Sequence, residues 1–313
     1  MRQPVKKQQA SPAKGRRSTK SDNVAKFAIT QAGTLLPTAM ALLPDMSPTK
    51  VKSLLRHHQL AVNGTPSSQF NRPVQAGDEL EVNFDRSFRV FSHPRLKIVY
   101  EDDDVMVVDK GYGMLSTSAG GDKAGETVFS LLRQWVKGYN EHARIYVVHR
   151  LDRDTSGLML LVRSAKARDK MVKQWSTMVL DRRYAAVVEG SVKEEKGMVQ
   201  NYLYDDQDGY MVLSSDDPEC GGRIAKTRYT VLQRSPRYSL LQLSLRTGHK
   251  NQLRVHMADI GHPISGDRKY GGRPNAIHRL ALHATVLSFV HPVTGQTMTF
   301  ESPMPQGFEE MLG

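Results

Sequence analysis

Residues 147–160 read VVHRLDRDTSGLML, an apolar run that breaks into a short, densely charged turn and then becomes apolar again. Asp152 stands in that break, with Arg150 and Arg153 beside it. Positive charge next to a carboxyl group favours its ionised form, so Asp152 is expected to titrate below the usual carboxylate range. That state suits a nucleophile better than a proton donor. The same residues, with Asp154, Thr155 and Ser156, also have the makeup of an ordinary Asx turn with exposed ion pairs, which contribute little to stability. The rest of the chain decides between the two readings.

At 313 residues the chain is longer than one small core requires, and a main domain with an accessory one is expected. Its formal net charge of +12 and isoelectric point near 9.7 favour a polyanionic partner, nucleic acid before membrane surface. The lone cysteine, Cys220, excludes an internal disulfide and a zinc ribbon and fits a reducing compartment. The longest apolar stretches, such as 158–162, are far too short to cross a bilayer, and no charged-then-apolar leader opens the sequence. A soluble cytoplasmic protein without membrane association is the expectation.

Residues 1–26 carry Arg2, Lys6, Lys7, Lys14, Arg16, Arg17, Lys20 and Lys26 against Asp22 alone, with almost nothing to bury. A disordered basic tail over 1–30 follows. Residues 31–86 read as a compact unit. Ser47 is placed as a helix N-cap with Pro48 at the first helical position, and Val51, Leu54 and Leu55 recur at helical spacing. Lys50, Lys52 and Arg56 form a basic strip on that helix, and strands are expected at 60–62 and 80–82. The order of helices and hairpin, with VNG and GDELEV at its ends, resembles the alpha-L RNA-binding domain, the small fold of ribosomal protein S-four.

Residues 87–313 read as mixed helix and strand. IVYEDDDVMVVDK suggests two strands joined by an acidic turn; 127–139 and 165–178 are patterned as helices; RRYAAVVEG reads as a strand. IYVVHRL and LMLLV bracket Asp152 as neighbouring strands. Helices dispersed among hairpins without regular alternation argue for an α+β fold over a doubly wound parallel sheet.

A second dense polar block, TGHKNQLRVHMADIGHPISGDRKYGG, starts at Thr247. A helix over 251–260, stopped at Gly261, would turn Leu253, Met257 and Ile260 toward the core and leave Arg254 about 100° around, flanking the buried stripe. Free N–H groups at its start, with Arg246, His249 and Lys250, suit an anion.

With these segments in view, HRLDRDTSGLML resembles the signature of the RluA-like pseudouridine synthases. RRYAAVVEG is similar to the family's second motif, TGHKNQLRVHMADIGHPISGDRKYG to its third, and HRLALHATVLSFVHP to its closing strand segment. With LKIVYEDDDVMVVDKGYGML the resemblance runs over residues 96–303. It implies a catalytic domain with a mixed, largely antiparallel sheet, flanking helices and a central cleft, attached to the alpha-L domain usual in the branch that acts on large-subunit ribosomal RNA. Asp152 matches the catalytic aspartate, Tyr184 the active-site tyrosine, and Arg254 the arginine that pairs with the aspartate.

The implied reaction detaches uracil from ribose, turns it over and rejoins it through carbon 5, so no cofactor, metal or redox chemistry is required. Asp152 can attack the anomeric carbon as a retaining glycosidase carboxylate does, or promote elimination to a glycal. The base must first leave its stack, and at least one of His149, Arg150 and Arg153 is expected to contact phosphate or fill the vacated space. The implied partner is RNA, ribosomal before transfer RNA, with the enzyme a monomer. Departures from the family pattern are His249, Asn251, Arg182 and Gly111, the last replacing a proline and expected to loosen its loop. A metal-dependent phosphoesterase is the rival enzyme reading, from His249, His256, His262, His278 and His283, but their spacing fits no metal motif. A non-catalytic RNA-binding assembly factor is the other rival.

Overall fold

The computed structural model describes residues 23–85, 87–88, 90–118, 125–138 and 142–313, so most of the basic tail lies outside the described residues. The chain divides into two compact units, Met1–Val90 and Phe91–Gly313.

In the first unit, β1 (Val24–Ala28) is followed by β2 (Gly33–Thr34), α1 (Leu35–Leu42), α2 (Pro48–Arg56), β3 (Leu60–Val62), β4 (Thr65–Pro66), β5 (Pro73–Val74) and β6 (Glu79–Asn83). Four of these strands form a sheet in the order β1-β6-β3-β4. Ser47 caps α2 through its Oγ, which accepts the Lys50 N–H at 3.3 Å. Val51, Leu54 and Leu55 of α2 close over Leu35, Leu60, Leu80 and Val82, which leaves Lys50, Lys52 and Arg56 exposed. One expectation is corrected here. Residues 24–28, assigned to the disordered tail, form β1 and pair antiparallel with β6 from Val24 opposite Asn83 to Ala28 opposite Glu79. The strand VAKFA is stabilised by a hydrogen-bonding edge more than fifty residues away, which five residues at the end of a basic tail do not advertise.

The second unit opens with β7 (Leu96–Glu101), β8 (Val105–Lys110), α3 (Val128–Lys137), β9 (Tyr146–Val147) and β10 (Ser156–Val162). Next come α4 (Ala165–Lys173), α5 (Trp175–Met178), β11 (Val179–Glu189), β12 (Lys196–Asp205), β13 (Val212–Ser215), β14 (Arg223–Arg234) and β15 (Tyr238–Leu245). It closes with α6 (Gln252–Asp259), β16 (Leu282–Val290), β17 (Thr297–Glu301) and α7 (Gln306–Glu310). One mixed sheet runs β13-β12-β14-β15-β11-β16-β10-β8-β7, with β17 added to β16 and β9 to β10. Every pairing is antiparallel except β10 with β16. The protein is therefore α+β. The helix expected over 165–178 is two helices broken at Gln174, which caps both.

β10 is buried along its whole length, as the run SGLMLLV requires when both faces of a central strand are covered. Its parallel contact with β16 is two residues long, Ser156 with His283 and Gly157 with Ala284. Gly157 sits at φ +108°, and a Cβ there would lie 2.2 Å from the Ala284 carbonyl oxygen. Only glycine permits that approach, so the turn bearing Asp152 is seated against β16 by the absence of a side chain. Gly157→Ala is expected to cost about 1–3 kcal/mol in backbone strain alone, with the clash added. Equilibrium denaturation reads the loss, and wild-type stability in that variant would contradict the packing argument.

Candidate active site

The catalytic-signature turn is pinned on both sides of Asp152. Ser116 Oγ donates to the Leu151 carbonyl at 2.7 Å and accepts the Leu151 N–H at 3.1 Å. On the other side, the fully buried Lys110 donates its ammonium to the carbonyls of Arg153 (3.0 Å), Met114 (2.9 Å) and Gly111 (3.1 Å). Burial pushes the Lys110 pKa down to about 8. Three carbonyl acceptors satisfy every N–H of the charged form, which is what a buried ammonium needs. The Gly111 N–H donates to the Arg95 carbonyl at 2.7 Å, a bond proline cannot make and one that ties this loop to the segment before β7.

Across from this turn stands Arg254, projecting from α6. Its guanidinium donates two short parallel hydrogen bonds to Asp267, Nε to Oδ2 at 2.6 Å and Nη2 to Oδ1 at 2.7 Å. Nη1 donates to Asn251 Oδ1 at 3.1 Å and faces Asp152 Oδ2 at 3.6 Å. Arg254 and Asp152 do come together, as the sequence reading expected. The strong pair, however, is with Asp267, whose side chain is fully buried. Asp152 receives one edge of a guanidinium already held in place, an arrangement that fixes direction rather than maximising attraction.

Both groups line a cavity of about 390 Å³, together with Tyr184, His149, Arg150, Trp175, Arg182 and the apolar side chains of Leu151, Leu245, Leu253 and Leu282. The apolar lining makes the surroundings of the carboxyl poorer in water than bulk solvent, and the electrostatic expectation is overturned as a result. Burial raises the Asp152 carboxyl above the usual aspartate range, and the opposing pull of Arg254 and Arg150 recovers only part of the shift. Desolvation outweighs charge because the nearest cation is shared with Asp267. Tyr184, on β11 and 6 % exposed, is likewise pushed up by burial and keeps its phenolic proton.

The residues expected to hold RNA fall into different situations. Arg150 and Arg153 are exposed on the turn, Arg150 lining the cavity and Arg153 loosely paired with Asp154 at 3.3 Å. His149 is instead tied into the fold. Its Nε2 accepts the Leu160 N–H at 2.8 Å, its ring lies 5.3 Å from that of Trp175, and burial, aided by Arg182, pushes its pKa down to about 3. A neutral imidazole offers phosphate no charge. At the start of α6 the anion site is not assembled as expected. Lys250 donates to Asp205 at 2.7 Å and to the Gly209 carbonyl at 2.6 Å, and the His249 ring bonds the Ile224 carbonyl at 2.9 Å. Arg246 is exposed at the end of β15. Lys50, Lys52 and Arg56 belong to the first unit.

The histidines of the phosphoesterase reading do not gather. His256 is buried between Thr227 and Asn201, and His283 between Ser156 and Ser302. Among the described residues, the group with metal-ligand spacing is Asp102, Asp104 and His291. His291 Nδ1 accepts the N–H groups of Val293 and Thr294, so the proton of a neutral ring sits on Nε2, the atom that would have to ligate.

Lys110, Ser116 and Asp267 were not identified from sequence as parts of the site. Lys110 and Asp267 lie in segments already singled out, but nothing in their spacing says that they hold Arg153 and Arg254. Ser116 meets Leu151 across thirty-five residues.

Comparison with known proteins agrees with this geometry. The family model described as RNA pseudouridylate synthase matches residues 104–259. A Bacillus subtilis protein named uncharacterized RNA pseudouridine synthase YlyB is 35% identical over 275 residues, 86% of this chain and 89% of its own length. Ribosomal large subunit pseudouridine synthase D of Pasteurella multocida is 33% identical over 309 residues, covering 92% of this chain and 93% of that protein. The solved structure of human RNA pseudouridylate synthase domain containing 4 superposes with a TM-score of 0.55 at 22% identity, over 69% of this chain and 91% of that one, a likeness of fold. Through the signature turn at Asp152 and the extent of these matches, the chain belongs to the RluA family of RNA pseudouridine synthases, isomerases that act on RNA.

Proposed function

We propose that the protein isomerises specific uridines of large-subunit ribosomal RNA, with Asp152 as nucleophile, Tyr184 against the extruded base and Arg254 orienting the carboxylate. The observation that carries this reading is the Asp152 carboxylate, 24% exposed, beside the Arg254 guanidinium in a cavity of about 390 Å³. That volume falls within the range of about 300–1,000 Å³ found for small-ligand sites. Relatives named ribosomal large subunit pseudouridine synthase D support the choice of ribosomal over transfer RNA.

In this reading the uridine leaves its stack, at a cost of a few kcal/mol, and its uracil enters the leucine-lined cavity. Arg150 and Arg153 stand at the mouth for the backbone or the vacated stack. Asp152 then works by either of two routes, attack on the anomeric carbon or elimination to a glycal, both drawing on the same ionised oxygen. A protonated Tyr184 phenol is a poor base, which favours contact with the ring over removal of the carbon 5 proton. Arg246, His249 and Lys250 remain candidates for backbone contacts farther along the RNA. The first unit acts as an alpha-L RNA-binding domain through Lys50, Lys52 and Arg56. The enzyme works without metal or cofactor, as a cytoplasmic monomer. No helix among the described residues is long and apolar enough to cross a membrane.

Pseudouridine mapping in cells lacking the protein tests the assignment: one or a few large-subunit sites should revert to uridine and return with the wild-type gene. An unchanged map in every RNA would overturn it. Affinity should fall with salt at a log–log slope of about −0.7 to −0.9 per phosphate contact, and a salt-independent binding constant would contradict the basic-surface reading.

A further inference from the structure

Arg254 has a second face. Beyond it lies a larger groove, about 800 Å³, lined by the segment 266–280, by Arg153 and Asp154 of the catalytic turn, and by Tyr112 and Tyr210. Arg254 lines both this groove and the Asp152 cavity, so the two are neighbours separated by the arginine and the turn. The groove carries five cations, Arg153, Arg254, Arg268, Lys269 and Arg279, against the carboxylates Asp154 and Asp267. Asp267 is already neutralised by Arg254, and Asp154 is paired with Arg153. The groove therefore keeps a positive excess.

Its aromatic rings are arranged in an unusual way for mere surface residues. Tyr210 is 68% exposed and Tyr112 48%, yet each is backed by a cation. The Lys269 ammonium lies 4.3 Å from the Tyr210 ring centre, and the Arg279 guanidinium 4.7 Å from that of Tyr112. Both cations are themselves anchored. Lys269 donates to the Tyr210 carbonyl. Arg279 donates to the carbonyls of Leu280 and Leu282 and to Ser156 Oγ, and from Ser156 a buried chain continues through His283 and Ser302 to Asp109. Each ring is thus held from one side by a fixed charge and leaves a face exposed. Preset rings lose little conformational freedom when a flat ligand stacks on them, and cations interleaved with aromatics are the means by which single-stranded nucleic acid is held without sequence readout.

We propose that this groove is a subsite for a nucleotide flanking the target uridine, its base stacked on Tyr210, the more exposed of the two rings, and its phosphate among Arg153, Arg268 and Lys269. The strand enters the groove past Arg254 while the uridine occupies the adjoining cavity. The proposal rests on the reading that places the target uridine at Asp152. It adds a contact that reports on the neighbouring residue of the strand.

Fluorescence anisotropy of the full-length protein with a fluorescein-labelled single-stranded oligouridylate, and turnover of the mapped ribosomal RNA fragment, test it. Tyr210→Ala should weaken binding about tenfold without changing the salt slope, and Tyr210→Phe should bind within about twofold of wild type, because stacking needs the ring and not the hydroxyl. Arg268→Gln should instead make the salt slope shallower by about 0.7. In turnover, Tyr210→Ala should act on KM rather than kcat. An abasic site beside the target should raise KM for wild type and add nothing for Tyr210→Ala. Wild-type binding by Tyr210→Ala, or independent addition of the two losses, would overturn the subsite. If wild type converts no uridine in the fragment, the Asp152 reading fails, and the anisotropy series still decides the groove.

Discussion

Replacing Asp152 with asparagine should abolish pseudouridine formation while leaving the protein folded and able to bind RNA. The expected loss is about 10⁴-fold or more, the scale on which an essential nucleophile is missed. Affinity for RNA should stay within a few fold, since the charge removed is not one that meets phosphate. Stability provides an independent check, and its sign follows from burial. The folded protein holds the Asp152 proton more tightly than the unfolded chain does. Between the two titration points the native state binds more protons, so stability falls as pH rises through that window. At neutral pH the wild-type protein carries the cost of a buried carboxylate, and Asp152→Asn relieves it.

Its melting temperature at pH 7 should therefore equal or exceed that of wild type, the usual relation between a strained catalytic group and stability. The same shift sets the acid limb of the wild-type kcat/KM profile, which should lie above the range of an exposed aspartate. Full modification in cells carrying Asp152→Asn would transfer the case to the assembly-factor reading.

Removing Asp267 should have the second largest effect, although this residue need not touch the reacting atoms. Its carboxylate is fully buried and holds Arg254 by two short bonds. Asp267→Ala leaves a guanidinium buried without its main partner, and breaking such a pair costs about 3–5 kcal/mol. Thermal or denaturant unfolding measures that loss. Asp267→Asn keeps the shape and one acceptor, and separates positioning from folding. With Arg254 free to shift, kcat should drop about 10²-fold, the cost of an ångström-scale misplacement.

A shape defect alone would stop there. A positioning residue does more, because the Asp267 charge raises the Asp152 pKa. In Asp267→Asn the acid limb of the pH–rate profile should move to lower pH. An unmoved limb with normal kcat would mean that Arg254 is oriented by Asn251 alone.

The signature turn, the helix cap at Ser47 and the strands on either side of Asp152 were legible along the chain from local pattern: apolar period, capping chemistry and a motif whose residues lie close together. The boundaries of α6 were readable for the same reason, with Asn251 in the left-handed conformation at one end and Gly261 at the other. The pairing of Asp152 with Arg254, 102 residues apart, came only from the family resemblance, and the structure brings the two within 3.6 Å. What the linear reading misjudged depends on distance and on solvent. β1 needed the edge of β6, and Lys110 and Ser116 needed carbonyls thirty-five or more residues away.

Charge was misjudged most consistently. Arginines flanking an aspartate suggest a lowered pKa, and a histidine next to them suggests a phosphate contact. Both inferences assume water around the groups, and neither sequence position nor residue type reports how much water is present. Once leucines line the Asp152 cavity and strand β10 claims the His149 ring, desolvation reverses the first inference and neutralises the second. Residue order carried the identity of the candidate groups; the direction of their pKa shifts came from the packing, because the energy of a charge depends on everything that surrounds it.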